Sequence, residues 1–410
     1  MTRALLVISA FIAVTLLGSP AHAWVHGNGT PICPYGQSLD DGFLTSPGGT
    51  FQRGSSNPNT FYTYATQTVG SGQSWTSAHP WNWCAAGVDD ASGAITPIGS
   101  DLDPATYSWP SGYAYCASCS AQGGEQVTIS AVASPTVQGF NFGLRNGIVL
   151  KFNANNTGTC TIHDNNFKNG SNTSVVNGYL VTLVNASACN WVQTDNTFDG
   201  NRANFAQSLQ ALAWINNPTG TFTSERNVFL NTPGRPVATG SCAGVLEKYD
   251  YAEGFSYQSA DGHGEVIIDT CSNANATIPF FTVVGNTCLQ PNNVLANGTT
   301  ACFYGTFGIV STQTVTAEDV ENNVAIVNKN GSVVTASIAV LGTSYATFGV
   351  ITAKNNFYDK TGSTYVFLCN GAAIYTQSPT MSGNTDMVTG AQVNAFTNAT
   401  GGNACTGGPF

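Results

Sequence analysis

Six carboxylates fall within 23 residues of this chain: Glu247, Asp250, Glu253, Asp261, Glu265 and Asp269. An even distribution of the 22 acidic residues would leave about one there. The same stretch holds Lys248, Tyr249, Tyr251 and His263. Two neighbouring carboxylates can serve glycoside hydrolysis as acid and base, or as acid and nucleophile. Crowding them raises one pKa and keeps that group protonated at neutral pH. A His or Tyr beside a Lys can instead supply the base and acid of a β-elimination. Several carboxylates together could also hold Ca²⁺. The catalytic candidates are therefore Glu247, Asp250, Asp261, His263 and Lys248, with Tyr249, Tyr251 and Glu265 as substrate-binding candidates. The alternative is that these acids are solvated turn residues and Lys248 pairs with its neighbours. On a regular strand, Glu247, Tyr249 and Tyr251 would share one face, with Lys248 and Asp250 on the other.

What positions these residues is a repeat. An Asn, any residue, then an apolar residue recurs as Asn165-Asn166-Phe167, Asn196-Thr197-Phe198, Asn227-Val228-Phe229, Asn286-Thr287-Cys288, Asn322-Asn323-Val324 and Asn355-Asn356-Phe357. Phe140-Asn141-Phe142 fits as a first copy and Asn384-Thr385-Asp386 as a decayed last one. The third positions are separated by 31, 31, 59, 36, 33 and 29 residues. An apolar run such as Tyr179–Val184 or Ala211–Ile215 follows each of the first anchors at a constant offset. That equivalence makes 205–215 strand rather than helix.

Short strands joined by turns and repeating every ~30 residues bury their apolar side by coiling, each strand pairing with its copy one turn later. Phe167, Phe198 and Phe229 would then stack inside. The asparagines would sit at bends, where left-handed backbone is needed, with their amides hydrogen-bonded along the stack. A β-propeller needs about 40–45 residues per blade, longer than these periods. The expected fold is all-β, a right-handed parallel β-helix with an N-terminal disulfide-tied cap. Between 229 and 288 the phase is open: Tyr249-Asp250-Tyr251 is a variant anchor, or the anchor lies near Ala260.

From about Gln126 to Val393 the repeat resembles the pectin-lyase-like β-helix superfamily. The resemblance rests on repeat form and carries no complete catalytic signature. Gly262-His263-Gly264 is similar to the Gly-His-Gly element of polygalacturonases, which share that fold. Their other elements are missing or out of order: Asn384-Thr385-Asp386 lies downstream, Asp-Asp occurs only at 40–41 and 89–90, and Arg-Ile-Lys is absent. The Arg-rich signature of pectate lyases is missing too.

The ends and the composition set the address. Arg3, an apolar run from Ala4 to Leu17 and the small-x-small Ala21-His22-Ala23 form a secretory signal over 1–23, too short for a membrane span. No later segment is a transmembrane candidate. Twelve cysteines, all after the signal, suit an oxidising compartment. The expected location is secreted: periplasmic, extracellular or cell surface. Cys116-Ala-Ser-Cys119 reads as a structural disulfide, because no second metal-type pair accompanies it. Cys160 and Cys189 fall at similar places in successive repeats and could staple them. Residues 24–124 read as a loop-rich cap, 125–393 as the β-helix and 394–410 as a C-terminal tail or cap. Trp75, Trp81 and Trp83 are either a sugar-stacking platform or the core of that cap.

Only 8% of residues are charged and the formal net charge is −10. That excludes a nucleic-acid partner, which needs a basic footprint, and disfavours polyanionic glycans. A polysaccharide, most simply a neutral one, is the expected partner, and no cofactor is certain beyond the possible Ca²⁺. Sequons such as Asn185-Ala-Ser187 are abundant, as expected in a chain rich in Asn and Thr. Two functions remain: an extracellular polysaccharide lyase or hydrolase, or a non-catalytic glycan-binding or surface protein.

Overall fold

The computed structural model describes residues 102–119, 124–145, 147–170, 178–184, 188–200, 211–230, 235–248, 250–253, 267–269, 271, 276–290, 307–309, 314–321, 323–327, 334–341, 347–358, 363–369, 374–375, 379–386, 392–393 and 397–398. The signal, most of the expected cap with Trp75, Trp81 and Trp83, and the C-terminal end of the tail lie outside them. The described residues form strands and turns, without a helix.

The strands lie in three sheets that the chain visits in turn. One circuit runs from Val181–Leu183 in the first sheet to Ala188–Thr194 in the second and Thr197–Asp199 in the third. The next returns to Ala211–Ile215, then Phe222–Glu225, then Val228–Leu230. Each strand of the second circuit pairs in parallel with its counterpart in the first, as Trp214 with Thr182, Phe222 with Trp191 and Phe229 with Phe198. Among the described residues the sheets hold 11, 11 and 8 strands. The expected strand at Ala211–Ile215 is present.

Burial alternates along the strands: in Ala188–Thr194 Cys189, Trp191 and Gln193 are buried and their neighbours are not. The inward residues of all three sheets form one core. Phe142, Phe167, Phe198 and Phe229 stack in it face to face, with centroids 4.7, 4.9 and 5.0 Å apart. The column continues through Ala252, Cys288, Ala325 and Tyr358.

Beside it runs a ladder of buried side chains: Asn165, Asn196, Asn227, Asp250, Asn286, Asn323, Asn356 and Asn384. The Asn196 N–H donates to Asn227 Oδ1 at 3.0 Å. Its Nδ2 donates to the same oxygen at 2.9 Å and to the Ile162 carbonyl at 3.1 Å. Asn323 repeats the pattern toward Asn356 and the Val283 carbonyl. Strand pairing cannot satisfy the backbone groups at a corner, so the amides do it.

Two expectations about the repeat need correction. The left-handed residue at the bend is the one before the ladder side chain: Asp164, Asp195, Arg226, Gly285 and Asn355, with φ of 54, 60, 56, 69 and 53°. The ladder residues themselves enter the third sheet. Three anchors carry an Asn-Asn doublet: in the first the leading Asn165 joins the ladder, but in the other two it is the second asparagine, Asn323 or Asn356, and Ala325 and Tyr358 occupy the positions expected for Val324 and Phe357.

Two disulfides tie neighbouring circuits and one closes a local turn. Cys116–Cys119 and Cys160–Cys189 form as expected, and Cys242–Cys271 is a third. The Cys160–Cys189 bond spans 29 residues. Closing such a loop removes unfolded-state entropy worth about 3–4 kcal/mol. The Cys160→Ala/Cys189→Ala variant should lose about that much in denaturant unfolding.

At the N-terminal end the parallel order is broken by Tyr113–Cys116, which pairs antiparallel with Gln126–Ile129. Trp109 stacks between Phe140 and Tyr113, with centroids 4.6 and 5.7 Å away. These aromatics cover the first circuit's core.

Candidate functional site

Glu247 lies on Val245–Lys248 of the second sheet, in register between Ser224 and Val283. Asp250 lies past the following bend, at the mouth of Tyr251–Glu253 in the third sheet. Because the chain turns a corner after Lys248, strand alternation does not carry through. Glu247 and Asp250 both point into the core, at 0% and 1% exposure, instead of lying on opposite faces. Lys248 is half-buried on the outer side.

Asp250 is the ladder member of its circuit. The Asn227 N–H donates to Asp250 Oδ1 at 2.6 Å, and the Asp250 N–H donates to Asn286 Oδ1 at 2.8 Å. The anchor is thus Asp250-Tyr251-Ala252, one residue on from the expected Tyr249-Asp250-Tyr251, and the alternative near Ala260 is excluded. Steps of 23 and 36 residues flank it, in place of 31. An aspartate lacks the NH₂ with which Asn165, Asn196, Asn227, Asn286, Asn323 and Asn356 reach the next circuit. Its second oxygen instead accepts from Ser224 Oγ. Ser224 in turn accepts from Gln193 Nε2 at 3.0 Å, and Gln193 Oε1 accepts from Trp191 Nε1 at 3.0 Å.

Burial pushes the Asp250 carboxyl up to about 7, although the donors from Ser224 and Asn227 oppose it. Glu247 is driven well above the ordinary carboxylate range by burial, then by repulsion from Asp250. Neither Glu247 oxygen has a hydrogen-bond partner. Burial thus favours the protonated form of both groups, and a polymer cannot reach side chains enclosed by three sheets.

Of the other candidates, Tyr251 sits on the third sheet between Val228 and Thr287. Tyr249, Asp261, His263 and Glu265 lie outside the described residues. Among the described residues, no group of three His, Cys, Asp or Glu side chains is arranged to hold a metal, so Glu247 and Asp250 supply no Ca²⁺ cage there.

Two outer features were not visible in the repeat. At the bends, Arg226 grips Asp195 with Nε and Nη2 at 2.7 and 3.1 Å and also pairs with Glu225. Outside the main core, Tyr179 and Trp214 pack with centroids 5.3 Å apart over Ala211 and Ala238 of the first sheet. Both rings keep part of their surface open. The ring planes are tilted by 40°, and each ring offers an apolar face with a polar edge. Their sequence signal was only an aromatic in each of two equivalent runs.

Comparison with known proteins matches this chain to no protein family, no curated protein and no solved structure.

Proposed function

We propose that the chain is an exported right-handed parallel β-helix that binds extracellular polysaccharide without cleaving it. The burial of Glu247 and Asp250 carries this reading: the best-placed acid pair is a core element, not a groove. The three parallel sheets with their circulating order are compatible with the β-helix. The three disulfides among the described residues, and the absence of any described helix long and apolar enough to cross a membrane, are compatible with export. The weakly charged composition favours a neutral glycan over a polyanion. Tyr179 and Trp214 are the proposed stacking platform.

The test is a panel of neutral and acidic polysaccharides, with and without Ca²⁺, scored for binding, reducing ends and unsaturated products. A neutral glycan should bind without new ends. Trp214→Ala should weaken that binding about tenfold, equivalent to about 1.4 kcal/mol, with little change in unfolding. Cleavage by the wild-type chain that disappears in Glu247→Gln/Asp250→Asn would overturn the non-catalytic reading and return the acids to the roles of hydrolytic acid and base.

A further inference from the structure

Glu247 is not the only acid sealed in this core. Glu318, on Thr314–Glu321 of the same sheet, is 2% exposed, and its Oε2 has no hydrogen-bond partner. It stands in register between Phe281 and Ile351. Glu247 stands between Ser224 and Val283 with both oxygens unpartnered. An ionised Glu247 would have neither water nor a donor, and an ionised Glu318 would leave its Oε2 without either. Its desolvation would cost several kcal/mol, so the neutral acid is the form that fits.

The charged surroundings reinforce this. The charge acting on Glu247 is Asp250, that on Asp250 includes Glu225, and that on Glu318 is Asp319. All are acidic. The other two sheets contribute Ile215, Val237, Phe229, Ala252 and Cys288 to the same core, none of them charged. The buried Arg235 of the first sheet acts on Tyr179 and is not among the charges felt by Glu247. Lys248 projects to the outer side of its strand.

We propose that Glu247 and Glu318 make the core a proton-dependent lock, closed while both acids are neutral and loosened once they ionise. Asp250 joins them from the ladder. The folded chain holds these protons up to about 7 at Asp250 and about 8 at Glu318, and Glu247 also holds its proton well above the ordinary range. The unfolded chain releases them near the ordinary 3.8 for Asp and 4.5 for Glu. The folded state therefore binds more protons between those limits, and stability falls with rising pH there. The contribution is fully present below the ordinary values and is lost as pH rises through about 7 to 8. This chain is built for acidic to neutral surroundings, and the circuits from Val245 to Glu321 are the ones that open above them.

Thermal unfolding of the full mature chain between about pH 5 and pH 9 tests this. The wild type should lose melting temperature steadily toward the alkaline end. Glu247→Gln/Glu318→Gln, which keeps shape and removes charge, should flatten the profile. Hydrogen exchange on Val245–Lys248 and Thr314–Glu321 should accelerate with pH in the wild type beyond the intrinsic amide rate. Should the variant not fold, infrared spectroscopy of the wild type serves alone: a protonated-carboxyl band should persist at neutral pH and vanish on alkalinisation. A flat wild-type profile, an equal fall in the double variant, or no such band at neutral pH would overturn the lock.

Discussion

Asn196→Ala should lower the unfolding free energy by about 3–5 kcal/mol, among the largest losses available to a single substitution. The Asn196 amide accepts from the Asn165 N–H and Nδ2 at 3.1 and 3.0 Å. It donates to the carbonyls of Ile162 and Thr194 and to Asn227 Oδ1 at 3.1, 2.9 and 2.9 Å. Truncation strands an N–H and carbonyl groups in a place that is 1% exposed. Each buried orphan costs about 1–3 kcal/mol. Chemical denaturation against Asn190→Ala provides the comparison. Asn190 also accepts across circuits, from Thr221, but at an exposed site, and its loss should stay under about 1 kcal/mol. Equal effects at the two positions would show that the buried amides do not hold the corners.

Phe198→Ala should cost about 3–5 kcal/mol. Its ring is fully buried between Phe167 and Phe229, at 4.9 and 5.0 Å, so neighbours on both sides lose a face. Both neighbours belong to strands pinned by the parallel ladder, which limits collapse into the cavity. Phe198→Leu retains much of the volume and should lose less than half as much. Urea unfolding measures both. A Phe198→Ala loss of under about 1 kcal/mol would mean that the rings do not pack as a stack.

These two side-chain columns were legible because each writes itself into the sequence at a fixed offset. Asn196 and Phe198 recur as Asn227 and Phe229 with no insertion between them. Two of the three doublets depart from the expected phase for a local reason. Asn322-Asn323 and Asn355-Asn356 offer an amide to both the left-handed position and the ladder position, and spacing alone does not choose between them. At Asn355 the backbone takes the left-handed form, which asparagine tolerates well, and Asn356 enters the core. The short circuit at Asp250 was harder still. It replaces the amide by a carboxylate and the ring by Ala252, so neither half of the motif survives.

The candidate site was legible as an acidic cluster but not as a core element. Charged residues are expected outside, and a single strand was assumed from Glu247 to Tyr251. The corner after Lys248 broke that alternation and turned Glu247 and Asp250 inward together. Glu318 drew no notice in the sequence because its strand carries Asp319 and Glu321 as well, and alternation is the only sign that separates it from them. The Tyr179–Trp214 pair, which joins two circuits, depends on register that only the paired strands provide.

Among the described residues the acids divide by side of the sheet. Those outside form ion pairs, as Asp195 with Arg226 and Glu321 with Lys354. Those inside have carboxyls pushed up by burial, and Asp250 also accepts from ladder and core donors. The proposed glycan-binding face and the proposed proton-dependent lock rest on the same repeat, whose described inward positions accommodate Glu247 and Glu318 among apolar neighbours.

Asp250→Asn tests the assignment of that carboxylate to the ladder most directly. An asparagine there can donate to Asn286 Oδ1 and to the preceding circuit, as the other ladder members do. At about pH 8, where the native carboxyl is ionised, the variant should be at least as stable as the wild type in denaturant unfolding and should bind glycan unchanged. A variant several kcal/mol less stable than wild type, or one that folds but no longer processes a glycan the wild type cleaves, would contradict the account.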